Sequence, residues 1–429
     1  MFLTVSLILA VIVVAYIVAQ SRLKLSVELA MLVATLVGAV VAGNYLPLRH
    51  IAEGSVTYLD LALIFFTATL FMNIIKASGG LDFTVRAIMT RFGNRRAIAL
   101  ILLMFIMLIP GAITGAGSVS VLVSGGAVAM ALASMGISKQ RIAAIVFLLA
   151  GLSAVAPPVS VWAMLTCAGT AIPYVGFEIP LGVPVLVLGV FTVLWLGLRR
   201  SEGPGDEAVA LPEVAPDVTA GRTILPFLVV FGLIVAARVW PWDMPILGLP
   251  LVFMIGAIVA YLLNARKVNF FQVSVETVTQ LLPLLTTIIV IGIVIQLLTL
   301  TGVRGLISYA VIAMPLWVIF LLLPITIPFS EGVLGFGGAA VIGIPLIWTF
   351  NSLGVHPTVA LSGLSLLWCL GDALPPTAII GRLTLQTVGY KGSYGSFLRT
   401  CAVPWLVITA VGTLMVVFSG KLAPILVFS

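Results

Sequence analysis

Several long stretches of this chain contain no Asp, Glu, Lys or Arg, among them residues 1–21, 97–138, 142–177, 277–303, 305–330, 332–371 and 400–420. A bilayer-spanning helix needs about 20 such residues, so the chain carries material for many crossings. Of the 429 residues, 62% are apolar and 8% charged, and mean hydropathy is +1.28. A water-facing surface cannot be built from that composition. The alternating strands of a transmembrane barrel, about ten residues each, are absent, so backbone hydrogen bonds must be met inside helices. The sequence therefore reads as an all-α polytopic membrane protein embedded in a lipid bilayer.

The net charge of +7 does not point to nucleic acid, because Lys and Arg gather at the ends of apolar segments, where they select topology. No basic residue precedes the first apolar run, whereas Arg22 and Lys24 follow it. Residues 2–20 are thus read as an uncleaved helix with its N-terminus outside. Cys167, Cys369 and Cys401 lie in apolar surroundings without disulfide or zinc spacing.

Residues 199–222 break the pattern with eight charged residues and several Gly and Pro, and read as a cytoplasmic linker. Helical spans are expected before it at 2–20, 26–46, 57–76, 98–114, 119–136, 142–156, 159–172 and 180–198. After it they are expected at 224–241, 246–263, 275–300, 312–328, 332–351, 358–373, 377–389 and 401–419. The halves, 1–198 and 223–429, lie over one another without a gap when 218 is added to each residue number of the first: Pro110 meets Pro328, Gly117 meets Gly335, Gly125 meets Gly343 and Pro157-Pro158 meets Pro375-Pro376. Matched Gly and Pro mark places where helices stop or break.

Placing most Lys and Arg in the cytoplasm makes 98–136 a hairpin entering from that side and 312–351 one entering from outside. The halves are then inverted-topology repeats, each with a re-entrant hairpin and a Pro-Pro broken helix, at 142–172 and 358–389. Such repeats place a binding site near the midplane and imply alternating access.

Four features carry the chemistry. The segment 110–120 (PGAITGAGSVS) combines glycines with the hydroxyls of Thr114, Ser118 and Ser120, and reads as a ligand-facing hairpin tip or as a small-residue helix contact. Its counterpart, 329–338 (FSEGVLGFGG), holds Glu331 in an otherwise charge-free stretch. A carboxylate at the bilayer centre costs about 2.5–3.5 kcal/mol on insertion scales, so Glu331 faces protein or water, as a proton carrier or a structural carboxyl. Each Pro-Pro pair removes two amide donors and leaves carbonyls before the break and amides after it. Those carbonyls suit Na+, and the starts of the following half-helices, at Pro158, Ser160, Pro376 and Thr377, suit a carboxylate. Asp372, just before the second break, reads as a Na+ ligand, a proton carrier or a helix cap, and Arg382 beyond it as a residue snorkelling to the cytoplasm. No HExxH, GxSxG or Walker motif is present, and His50 and His356 fall in exterior loops. The chain is therefore not expected to be an enzyme, and its energy is expected from an ion gradient.

These motifs, in order, resemble the large membrane subunit of tripartite ATP-independent periplasmic (TRAP) transporters, within the ion transporter superfamily. The likeness is carried by Ser330-Glu331 through Pro345, Leu353-Gly-Val-His-Pro357 and Leu370-Gly-Asp-Ala-Leu-Pro-Pro376, and by Ile113-Thr-Gly-Ala-Gly-Ser118, Met135-Gly-Ile137 and Pro157-Pro-Val159. It spans most of 57–418. The resemblance implies an elevator-type carrier in a bacterial inner membrane, importing a small organic acid with Na+ as the coupling ion and no other cofactor. It implies as partners a small four-helix membrane subunit and a soluble substrate-binding protein. One Na+ site would use Gly117, Ser118, Ser153 and Ala156, and the other Gly335, Gly337, Gly338, Asp372 and Leu374. The first helix lacks the family's Gly-Val-Pro turn, and the second hairpin tip is poorer in Ser and Thr. A stand-alone organic-anion carrier of the same superfamily, coupled to ions or to protons through Glu331 and Asp372, is the alternative.

Overall fold

The computed structural model describes residues 2–198, 211–212, 218–240, 242–243, 245 and 247–427, so most of the expected linker lies outside the described residues. Among the described residues the secondary structure is entirely helical. In chain order the first half contains α1 (Phe2–Ser21), α2 (Val27–Val41), α3 (Leu48–Val56), α4 (Leu59–Ala77), α5 (Gly80–Phe92), α6 (Arg96–Thr114), α7 (Gly117–Ser120), a π-helical turn π1 (Val121–Gly125), α8 (Gly126–Ser134), α9 (Lys139–Val155), α10 (Val161–Thr170) and α11 (Glu178–Gly197). The second contains α12 (Ala220–Val239), α13 (Leu249–Asn264), α14 (Phe270–Leu300), α15 (Val303–Ala313), α16 (Leu316–Leu334), π2 (Ala339–Gly343), α17 (Ile344–Ser352), α18 (Pro357–Gly371), α19 (Ile379–Val388), α20 (Tyr394–Val417) and α21 (Ser419–Leu426). Nine helical stretches among the described residues are long and apolar enough to cross a membrane, which makes this a multi-pass membrane protein.

Element bounds repeat along the chain. α1, π1, α8 and α10 coincide with α12, π2, α17 and α19 at a displacement of 218, and α9 and α18 begin at the same displacement. The two π turns went unanticipated, since one extra residue in a helical turn leaves no mark on an apolar sequence. The first arm of the second hairpin departs from the gapless overlay. Gly115 and Gly335, both at positive φ, end α6 and α16 by donating their N–H to Gly111 O at 2.6 Å and Glu331 O at 2.7 Å. These pairs are displaced by 220, so α16 ends two residues later than the overlay of α6 gives and six beyond the expected end at 328. Pro324 and Pro328 are absorbed into α16, and Glu331 lies in its last turn rather than in the tip.

Helices α3, α5, α15 and α21 were also not expected. They are too short or too polar to register as spans. α5 leaves Arg86 and Arg91 exposed, while Leu81, Val85 and Ile88 are buried at helical spacing.

At the centre lie α9 and α18, in which residues 142–155 and 358–371 are buried on every face. They cross where Gly151 approaches Cys369, since a methyl group on Gly151 would lie 3.2 Å from the Cys369 carbonyl oxygen. These two residues are themselves 218 apart. Each Pro-Pro break begins six residues beyond the crossing, about 9 Å of helix. α6 packs on α9 and α16 on α18, while α2 and α4 flank α14 to form an outer layer with α1, α12 and α13. α10 of the first half packs against π2, and α19 of the second against π1.

Candidate functional site

Both breaks are real interruptions. α9 stops at Val155, Ala156 and Ser160 are extended, and α10 begins at Val161. α18 stops at Gly371 and α19 begins at Ile379. Both Pro-Pro peptide bonds are cis.

In the first half the structure brings together most of the residues singled out in the sequence. A methyl group on Gly117 would lie 2.5 Å from the Ala150 carbonyl oxygen, so this glycine lets the hairpin tip seat directly on the backbone of α9. Gly111 faces Ser153, and Val159 N donates to Ala112 O at 3.1 Å across the break. Two of the three candidate hydroxyls are engaged within the hairpin: Thr114 Oγ1 donates to Pro110 O at 2.7 Å, and Ser120 Oγ donates to the Met107 carbonyl of the opposite arm. Ser118 is half-buried. Pro158 lies beside the break, half-buried, and Ser160 is fully buried with its hydroxyl unpartnered among the described residues.

The second half has the same plan with different residues. Thr377 donates from both N and Oγ1 to Gly332 O, at 3.2 and 3.0 Å, which repeats the Val159–Ala112 contact at the shifted register. Gly371 packs on the Glu331 side chain and the Pro328 carbonyl, and Gly332 on Leu374. The residues that touch the second break are thus Pro328, Glu331 and Gly332. Gly337 faces Met31 of α2, Gly338 packs on Ser330 of its own hairpin, and Gly335 has open space around its Cα. Pro376 is exposed, and Arg382 donates to its carbonyl at 3.2 Å, folding back to the break rather than away from it.

The junction leaves groups of both signs without partners. Both carboxylate oxygens of Glu331 and Oδ2 of Asp372 are buried without a hydrogen bond among the described residues. Gly371 links the two acids, contacting Glu331 and preceding Asp372 in the chain. Ser160 Oγ is a buried donor with no acceptor among the described residues, and Trp162 Nε1, also buried, faces the Glu331 carboxyl without a hydrogen bond of good geometry. The Trp162 ring lies 5.5 Å from the Phe336 ring at the tip of the second hairpin, so α10 of the first half reaches the site of the second. Sequence reading missed Trp162. The available signal was a tryptophan two residues after Ser160 in a charge-free helix, where a buried indole N–H still requires an acceptor. Thr166, a turn further along α10, donates to Ala339 O at 3.3 Å, the first residue of π2. Its counterpart Thr384 in α19 is buried with its hydroxyl unpartnered among the described residues.

The glycine-to-side-chain contacts carry a direct test. A methyl group on Gly111 would overlap Ser153 Oγ and Cβ. Gly111→Ala is expected to destabilise by about 1–3 kcal/mol, and adding Ser153→Gly is expected to recover most of that loss. Thermal midpoints of the two single variants and the double variant in detergent check it; additive losses would contradict the contact.

No protein family and no curated sequence matches the chain. Solved structures do match its fold. The YdaH transporter of Alcanivorax borkumensis, described as having an unusual topology, aligns with a TM-score of 0.58 and 14% identity over 87% of this chain and 89% of its own. MtrF of Neisseria gonorrhoeae, described within a class of antimetabolite efflux pumps, aligns with a TM-score of 0.61 and 14% identity over 86% of this chain and 84% of its own. The chain thus shares its fold with membrane transporters. The likeness is one of fold and is not specific to a TRAP large subunit.

Proposed function

We propose that this protein is a Na+-coupled secondary active transporter that carries a small organic acid by an elevator-type alternating-access mechanism. Its halves act as inverted repeats, spanning 1–198 and 223–429, with the N-terminus outside a bacterial inner membrane. The observation that carries this reading is the pair of Pro-Pro breaks, each seated on a hairpin of its own half and flanked by a half-helix from the other. Supporting it are the element bounds repeated at a displacement of 218 and the unpartnered groups at the second junction. Donors at Ser160 and Trp162 suit the substrate carboxylate, and Arg382, held at Pro376, supplies positive charge at the same break. Oxygens of Glu331, Asp372 and the carbonyls ahead of each break suit Na+.

The energetics are sufficient. One Na+ moving down a tenfold gradient supplies about 1.4 kcal/mol, and a charge crossing 100 mV adds about 2.3 kcal/mol. In the tripartite form of this reading, a four-helix subunit and a soluble binding protein deliver the acid. In the stand-alone form, the chain works without them.

Uptake of radiolabelled organic acids into proteoliposomes containing this chain alone, with and without an inward Na+ gradient, separates the two forms. Na+-stimulated uptake without partners supports the stand-alone carrier. Uptake only after the two partners are added supports the tripartite one. No uptake under either condition, with correctly folded protein, overturns the transporter reading. Replacing Pro157 and Pro158 together with Ala permits α9 to continue through the break. That variant is expected to fold and to lose at least 90% of transport (an order-of-magnitude expectation, roughly tenfold).

A further inference from the structure

A cavity of about 590 Å³ separates α1 and α2 from the first arm of the second hairpin. Its floor is formed by Ile12, Met31, Ala34, Val294 and Leu298, and its far wall by Ser330, Val333 and Leu334 of α16 with Val341 and Ile342 of π2. Its mouth lies between Val13 and Ile17 of α1, 48% and 55% exposed, and Phe329 of α16, 60% exposed. Four hydroxyls line it, and each already donates to a backbone carbonyl: Tyr16 to Val333, Thr35 to Met31, Thr326 to Leu322 and Ser330 to Ile327. The lining thus offers no free donor, no charge and no place for an organic acid or an ion. Water is disfavoured for the same reason, since a buried water needs two to four polar partners, about three on average.

Depth identifies the occupant. The lining residues of α1 run from Leu9 to Ile17, all within about 9 Å of the middle of Phe2–Ser21 along the helix axis. The hydrocarbon core extends about 15 Å to either side of the midplane, so the mouth opens where the bilayer presents methylene chains and no headgroups. Protein interiors are close-packed, and a carbon-lined crevice of this size beside fluid hydrocarbon gains dispersion contacts by admitting it. We propose that the crevice binds one phospholipid acyl chain, wedged between α1–α2 and the second hairpin. Because one wall is α16, whose Pro328, Glu331 and Gly332 touch the second break, the chain packs against a moving part of the proposed carrier from outside the substrate path.

Photolabelling tests this without requiring transport, so its failure is distinct from failure of the proposed function. The full chain is reconstituted in phosphatidylcholine vesicles containing a phosphatidylcholine with a diazirine at mid-chain, irradiated, and mapped by peptide mass spectrometry. Labelling of residues 9–17 and 326–334 is expected to exceed that of α12, an equally lipid-facing helix, by about fivefold, a modest preference equivalent to about 1 kcal/mol. Ala34→Trp fills the floor and is expected to bring both segments down to the α12 level; Ala34→Leu serves the same purpose if the larger side chain prevents folding. Uniform labelling of all lipid-facing helices, or labelling of 9–17 and 326–334 unchanged by the filling variants, overturns the assignment.

Discussion

Gly371→Ala is expected to abolish transport and to lower stability by about 3 kcal/mol, the upper part of the range for overpacking a tight contact. The added methyl group would overlap the Pro328 carbonyl oxygen and the Glu331 Cβ. Neither can move alone, because both belong to the last two turns of α16, which are buried from Ile327 to Gly332 apart from Phe329. Backbone conformation is no obstacle, since Gly371 does not have a positive φ, so the effect isolates the hairpin–break contact. Gly126→Ala provides the control: a methyl group there meets nothing within 4 Å, and the residue is helical. It is expected to leave uptake unchanged and to raise stability slightly through helix propensity. Thermal midpoints and proteoliposome uptake measured side by side check both. Equal behaviour of the two variants would remove the junction from the mechanism.

The contrast between single and paired prolines explains much of what the sequence made legible. Pro110, Pro184, Pro226, Pro283, Pro324, Pro328 and Pro404 all sit inside helices without ending them. One proline removes one donor, and neighbouring helices in a membrane absorb the defect. Two in succession remove two donors and also restrict the preceding residue, and both pairs do end their helices. Reading the pairs as breaks therefore matched the structure, whereas reading Pro328 as the end of α16 did not. That error left Glu331 beyond the end of α16, whereas it lies in the last turn of that helix. The two-residue shift was invisible because residues 316–334 are apolar throughout apart from Glu331 and a few hydroxyls, and no periodicity marks where the helix stops. The chemistry of Trp162 and the fold-back of Arg382 were hidden for a different reason. Both depend on which half-helix reaches which hairpin, and contact between halves is a tertiary fact that spacing along the chain does not encode.

The second large effect is expected at Asp372. Two acids meet at a buried junction, Glu331 1% and Asp372 6% exposed; Trp162 faces Glu331, but among the described residues no hydrogen bond of good geometry reaches the Glu331 oxygens or Oδ2 of Asp372. Carboxylates buried in this way are costly unless positive charge accompanies them, and no Lys or Arg is hydrogen-bonded to either. In the proposed carrier Na+ supplies that charge, and ion binding offsets part of the cost of burying the acids. Asp372→Asn keeps the shape of the side chain and removes one negative charge from the ion's surroundings. It is expected to abolish Na+ stimulation of uptake, or to raise the Na+ concentration giving half-maximal uptake at least tenfold, which corresponds to about 1.4 kcal/mol of lost ion binding. The folded protein should survive, because Asp372 caps α18 through its backbone and the substitution leaves that cap in place. Na+-dependence unchanged in Asp372→Asn, with folding verified by thermal midpoint, would remove the carboxylate from the coupling site. Loss of uptake with full Na+ binding retained would instead assign Asp372 to the substrate.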